Sequence, residues 1–370
     1  MKSAQELYNE RLNRIKTAVA LGKPDRVPVV PLATSFSANH LGVKISEIAN
    51  NPKLLNETLI KSFTQLGEFD AIQQVTFSVH LLSVAWLSKV KIPGIDLPET
   101  VSWQVAENEL MTPEDYDTII NKGYNAFFGE FQAKKLDNLL EKVQPFVEYL
   151  PEAIKRFNDI GVVALSPGAQ AVIPYEIFCG GRTMPKFMRD LFKTPDKVQA
   201  AMDAAMPDLI AALRGAYHGT NQVGAWVGGW RSASEFLSPK TWQRFVWPYM
   251  KQLTNVLLEE GVIPIFHLDS NWERDLEFFR EMPKGRCIIS PDSSTNIFKI
   301  KDVLGDHMCI MGDVPASLFT LGTPDDVYKY CTKLINEIGP SGYILSSGCD
   351  IPFNAKPENV AAMLSAATGK

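Results

Sequence analysis

No part of the 370-residue chain is a continuous apolar run of membrane-spanning length. The longest stretch free of formal charge, Ala71–Ser88, is interrupted by Gln73, Gln74, Thr76, Ser78, His80 and Ser83. Crossing a bilayer takes ~20 predominantly apolar residues. Positive charge is not in excess either: 37 Lys and Arg stand against 42 Asp and Glu, a formal net charge of −5. That balance argues against nucleic acid or an anionic membrane held by bulk electrostatics. Cysteine is scarce. The five residues Cys179, Cys287, Cys309, Cys331 and Cys349 are scattered without a CxxC pair, which predicts reduced thiols rather than a disulfide framework. Met1–Ala20 reads as an amphipathic helix, with Leu7, Leu12 and Ile15 among Glu6, Arg11, Arg14 and Lys16. It lacks the apolar centre and small-residue cleavage site of a secretory signal, so a cytoplasmic protein is expected. No GxGxxG follows the first apolar run and no GxxxxGK[ST] occurs, so the usual dinucleotide and P-loop fingerprints are missing.

What the chain does have is alternation. With 45% hydrophobic and 21% charged residues it has globular composition, and disorder is not expected. Short apolar runs recur at Val27–Ala33, Asp70–Val75, Val162–Pro167, Val223–Gly229, Ile263–Asp269, Arg286–Asp292, Met308–Val314 and Tyr343–Gly348. Helix-length segments separate most of them. Several begin with a start signal: Ser238-Pro239 before Lys240–Glu260, Thr194-Pro195 before Lys197–Arg214, and Thr323-Pro324 before the segment ending at Ile338. A last helix is expected over Pro357–Ala367. Strand, loop, helix, repeated to the C-terminus, with eight candidate strands in all, fits a closed (β/α)8 TIM barrel better than an open doubly wound sheet. From His80 to about Ala133 the rhythm breaks, around the two prolines of KIPGIDLPET (Lys91–Thr100). This segment reads as an insertion between early strands, a hairpin over the barrel mouth. No linker-like composition divides the chain, so residues 1–370 are expected to form one domain.

In such a barrel, chemistry sits where strands end. Those positions offer Gly228-Gly229-Trp230-Arg231, His267-Leu268-Asp269, Asp292, Met311–Pro315 and Ser347-Gly348-Cys349-Asp350. His267 and Asp269 are two apart on a strand and so share a face. Cys349 ends the last strand, which neighbours the first in a closed barrel. Imidazole, carboxylate and thiolate together make three protein ligands, the number a catalytic zinc uses while a fourth position stays open. The same residues also read structurally, as a hydrogen-bonded His–Asp couple and a small buried thiol. Trp230 and Arg231 are candidate contacts for an aromatic or anionic substrate, or a buried tryptophan with a salt-bridged arginine. Phe36, Phe77 and Trp86 are candidates for an apolar pocket or for core packing. Glu235 and Asp313 could orient His267 or cap helices. His40, His80, His218 and His307 have no partner at a readable spacing and read as structural or surface residues, and Cys287, Cys309 and Cys331 as core.

At these residues the chain resembles the uroporphyrinogen decarboxylase superfamily. The likeness runs through Arg26–Pro31 (RVPVVP), Phe69–Ile72, Leu237-Ser238-Pro239 with Phe245 and Pro248-Tyr249, and Ile310–Pro315 (IMGDVP). It continues through Gly322-Thr323-Pro324 and Gly348–Val360 (GCDIPFNAKPENV). The superfamily fold is a (β/α)8 barrel, in line with the strand count.

Two branches are open. True decarboxylases carry an arginine-rich N-terminal loop for a tetrapyrrole with several carboxylates; Pro31–His40 (PLATSFSANH) has no arginine. Gln73-Gln74-Val75-Thr76 also stands where the decarboxylase branch has an aspartate. The resemblance therefore points to the corrinoid-dependent methyltransferases, whose zinc site is His-x-Cys with a distant Cys. Carried over, these fall on His267 and Cys349, with Asp269 in place of the middle cysteine. Carboxylate for thiolate leaves zinc a stronger Lewis acid. It suits a methylated oxygen or nitrogen, a methoxylated aromatic among them, better than thiol activation. The expected activity is methyl transfer from a methylated small molecule to cobalamin on a corrinoid protein partner, with room for a homo-oligomer. The alternatives are a decarboxylase, a methylcobamide-to-thiol methyltransferase, and a non-catalytic corrinoid- or tetrapyrrole-binding barrel.

Overall fold

In the computed structural model, which describes residues 2–369, each of the eight apolar runs becomes a stave of one barrel. The named strands are β1 (Ala71–Ile72), β2 (Val90–Lys91), β3 (Gln104–Val105), β4 (Val163–Ala164), β5 (Gly224–Gly229), β6 (Ile263–Leu268), β7 (Ile288–Pro291), β8 (Cys309–Val314) and β9 (Tyr343–Ser347). β5 to β9 form a parallel sheet in chain order, and β1 pairs with β4, also in parallel. The extended segment 27–33 closes the ring. Leu345 of β9 exchanges backbone hydrogen bonds with it, Val30 N to Leu345 O and Leu345 N to Pro28 O, both 2.9 Å. On its other side Asp70 N donates to Val29 O and Gln73 N to Pro31 O. The last seam runs through Ala171, beyond β4, which bridges Val227 of β5. The segment 27–33, β1, β4 and the five strands β5 to β9 make eight staves.

The first three staves are shorter than the apolar runs predict. Pro28 and Pro31 have no N–H to donate, so the first run cannot carry a regular ladder. The run Lys240–Glu260 is also interrupted, forming helices Pro239–Phe245 and Trp247–Glu259. Pro248 cannot donate to the carbonyl of Arg244, and the chain breaks at Val246. The start signals at Ser238 and Thr323 both act as caps, Ser238 Oγ accepting from Thr241 N and Thr323 forming a capping box with Asp326.

Period-two alternation fills the barrel interior. Val30, Leu32, Ala71, Val163, Leu165, Trp226, Ile265, Ile288, Cys309, Met311 and Ile344 form one buried cluster. The helix Ala4–Val19 plugs its lower end with Ile15, Ala18 and Val19. Asp70 ties that plug to the wall. Its fully buried carboxylate accepts from Arg14, Arg26 and Val29 N. Because the lower end is filled and sealed, space for a ligand remains at the opposite mouth. There the insertion forms a short antiparallel hairpin, β2 with β3. Among the described residues no helix is long and apolar enough to cross a membrane.

Candidate metal centre

β6 places Ile265 inward, and the same alternation turns His267 inward one step nearer the mouth. His267 Nε2 lies 3.7 Å from Cys349 Sγ and 3.4 Å from Asp269 Oδ1. One ligand atom from each of the three residues lies within 4.8 Å of the others. A tetrahedral zinc, with bonds of about 2.0–2.3 Å, needs its donors roughly 3.3–3.8 Å apart. The two separations at His267 fit that spacing. The donor set is also chemically suitable: borderline nitrogen, hard oxygen and soft sulfur are all zinc ligands. Asp269 Oδ1 is buried and faces His267 Nε2 as an ion pair.

The electrostatics favour a positive charge among these atoms. Burial pulls the His267 imidazolium down, but hydrogen bonding to Asp269 and Cys349 and their charges outweigh it, and its pKa is pushed up to about 10. The ring is fixed from one face. It stacks on Trp226, with centroids 4.2 Å apart and planes 14° from parallel. Trp226 is held in turn: its Nε1–H donates to Gln73 Oε1 at 3.0 Å, and Gln73 Nε2 donates to Ser346 Oγ at 3.1 Å. The other ring nitrogen, His267 Nδ1, is buried without a partner.

Above the triad opens a cavity of about 190 Å³, bounded by Leu32, Thr34, Gln74, Phe77, Leu82, Trp86, Trp103, Gln170, Trp226 and Trp230 together with His267, Asp269, Cys349 and Asp350. Trp230, Phe77 and Trp86 thus stand where the sequence suggests. Phe36 does not: it is fully buried, stacked on His40 and packed against Phe63. Arg231 is not a lining residue. Its guanidinium pairs at two points with Glu107 of the insertion, 2.8 Å each, and lies over the Trp86 ring. Neither acid expected to orient His267 does so. Glu235 accepts from Asn271 N at 2.9 Å, and Asp313 accepts from the Tyr330 hydroxyl at 2.8 Å. Burial pushes the Asp313 carboxyl up to about 7.

Several residues of the site carry no local motif. Glu176, fully buried, accepts from the backbone N–H groups of Trp230, Arg231 and Ser232 and from the Ser232 hydroxyl, and thereby shapes the loop after β5. Burial raises its pKa while those donors oppose the rise. The one available signal is that Glu176 is the single formal charge between Ile160 and Gly181. Asp350 follows Cys349 directly; its Oδ2 accepts from Thr34 Oγ1 at 2.6 Å, while Oδ1 is buried with no partner. Its carboxyl is pushed up to about 7 by burial, with the Thr34 hydrogen bonds and the neighbouring His267 acting the other way. Trp103 arrives from the insertion, and nothing in the sequence marks it.

The family model for uroporphyrinogen decarboxylase (URO-D) matches residues 10–369. The chain belongs to this family. Among curated relatives, the uroporphyrinogen decarboxylase of Syntrophotalea carbinolica is 26% identical over 231 residues, 60% of this chain and 64% of that enzyme. That of Trichlorobacter lovleyi is 24% identical over 364 residues, 93% and 94% of the two chains. The chain thus spans less than two thirds of the first relative's length. A solved methyltransferase from Methanosarcina mazei superposes with a TM-score of 0.71 at 17% identity, covering 96% of this chain and 97% of that one. At that identity the likeness is one of fold, and the fold is the uroporphyrinogen decarboxylase-type barrel. No lysine or arginine is among the described residues that line the cavity.

Proposed function

We propose that this protein is a zinc-dependent methyltransferase that moves a methyl group from an O- or N-methylated small molecule to a corrinoid carried by a partner protein. The observation that supports the reading is the convergence of His267, Asp269 and Cys349, with His267 Nε2 at 3.4 Å and 3.7 Å from the other two donors and all three within 4.8 Å. Zinc held there supplies Lewis acidity toward the heteroatom that loses its methyl group. The chain's own residues do the rest. Trp226 and the Gln73–Ser346 pair fix the imidazole plane, so that Nε2 stays turned toward the cavity. The aromatic walls exclude water from the transferring methyl and hold the substrate in a fixed orientation. Glu176 keeps the Trp230 wall in place through the loop backbone.

The decarboxylase reading, which the names of the curated relatives suggest, is less well supported. A substrate bearing several carboxylates calls for several cationic partners, and the described lining offers no lysine or arginine. Asp269 at the middle ligand position also favours a harder metal site than thiol activation needs.

The test is methyl transfer to cob(I)alamin from a panel of methylated phenols and amines, followed by appearance of the methyl-cobalt spectrum. Wild-type protein is expected to turn over at least one member of the panel. Asp269→Ala is expected to lower zinc affinity by tenfold or more and to abolish transfer. Unchanged zinc stoichiometry and affinity in that variant would remove Asp269 from the site.

A further inference from the structure

Four aromatic side chains, Phe77, Trp86, Trp103 and Trp230, wall the cavity above the triad, and Trp226 forms part of its base. The indole N–H of Trp226 is committed to Gln73 and that of Trp86 to Glu176. Their N–H groups are thus spent, His267 stacks on Trp226 and Arg231 lies over Trp86, so what these rings have left to offer a ligand is π surface, whose faces carry negative potential. Arg231, the guanidinium that reaches this wall, is neutralised by Glu107 and is not a lining residue. Asp350 adds a carboxyl group, whose ionised form a neighbouring cation favours. One of its oxygens is taken by Thr34; the other is buried beside the cavity without a partner. A buried carboxylate oxygen left unpaired is costly, and a cation or donor in the cavity relieves that cost. A divalent ion on the triad does not supply that charge, because the Asp269 carboxylate and a Cys349 thiolate already cancel it formally.

We infer that this cavity recognises an N-methylated organic cation, held by its aromatic walls and by Asp350. Aromatic walls, a buried carboxyl oxygen without a hydrogen-bond partner and no lysine or arginine are the features that select ammonium groups over neutral and anionic ligands. The small volume, about 190 Å³, suits a methylated ammonium head rather than a large ring system. The inference rests on the methyl-donor reading and narrows it from O- or N-methyl to N-methyl. The step balances: the C–N bond breaks, the nitrogen keeps the electron pair and leaves as a neutral amine, and the methyl passes formally as CH3+ to the corrinoid nucleophile. The electron pair left on nitrogen is a Lewis base of the kind a divalent ion accepts, so cage and triad serve the same bond cleavage.

Calorimetric titration of the full chain separates charge from shape. The probes are choline, its uncharged carbon isostere 3,3-dimethylbutan-1-ol, and 2-methoxyphenol. Choline is expected to bind about tenfold or more tightly than the isostere, a gap of the size cation–π contacts supply. Asp350→Asn, which keeps an acceptor for Thr34, should weaken choline about tenfold and leave the isostere unchanged. Trp103→Leu should weaken choline in the same direction, with circular dichroism confirming the fold of both variants. Equal or tighter binding of the isostere or of 2-methoxyphenol overturns the inference, as does an Asp350→Asn variant that binds choline normally. Charge-selective binding without methyl transfer would instead sink the methyl-donor reading and leave the recognition intact. Transfer from a neutral methoxyarene without charge selectivity would do the reverse.

Discussion

The side chains that decide this site are held by hydrogen bonds to backbone or by stacking, and their substitution separates positioning from chemistry. Glu176 is the clearest case, since one buried carboxylate satisfies three successive backbone N–H groups and a hydroxyl. Glu176→Gln places an amide nitrogen among donors and is expected to cost about 2–3 kcal/mol, read by urea denaturation, with weaker ligand binding from displacement of Trp230. An unchanged denaturation midpoint would show that the loop after β5 is held otherwise. Asp313 gives a pH signature. Its folded-state pKa, raised to about 7 by burial, lies above the ordinary 3.8. Below pH 4 it is neutral in both states and has no effect. Between about 4 and 7 the unfolded chain ionises first, so stability falls as pH rises, and above 7 the loss is constant. The full effect is on the order of 4 kcal/mol. Asp313→Asn, whose amide oxygen can still accept from Tyr330, should therefore gain stability over wild type as pH climbs from 4 to 7. A wild-type-minus-variant difference that stays flat over that range would contradict this.

At the scale of elements, the sequence was readable where pattern and geometry coincide. Strands β5 to β9 fall within their apolar runs because each is a regular parallel strand buried on both faces. The first three staves are legible in position and not in length, because Pro28 and Pro31 interrupt the ladder and the seam beyond β4 shifts to Ala171. His267, Asp269 and Cys349 were legible because strand ends point to one mouth. Trp103, Gln170 and the Glu176 hub were not, because they arrive from an insertion, a loop and a helix whose placement no local spacing encodes. Phe36 shows the converse error: an aromatic just past the first strand belongs to the helix Ser35–His40 and turns into the core. The insertion itself is fastened by charge, through Glu107 to Arg231 and Glu109 to Arg182 and Lys186. Glu107→Ala should change global stability by less than about 1 kcal/mol, since the pair is partly exposed. Locally its effect should be larger, with faster amide exchange over residues 100–111 by hydrogen–deuterium mass spectrometry. Unchanged exchange there would mean that Glu109 alone suffices to hold the hairpin.

For the molecule as a whole, the three candidate ligand residues sit on a barrel whose interior is already filled and whose lower end is sealed by the Ala4–Val19 helix. Their positions are set by the β6 and β9 ladders and by Trp226 rather than by a metal. A chelator should therefore abolish methyl transfer while leaving far-UV circular dichroism unchanged and unfolding cooperative. Collapse of the fold on chelation would instead identify a structural ion. Zinc K-edge absorption on the purified protein tests the metal site itself. About one zinc per chain is expected, with a single sulfur near 2.3 Å and the remaining ligands nitrogen or oxygen near 2.0–2.2 Å. The sulfur shell is expected to vanish in Cys349→Ser. Absence of bound metal after zinc loading, or a sulfur shell that survives that substitution, would contradict such a site.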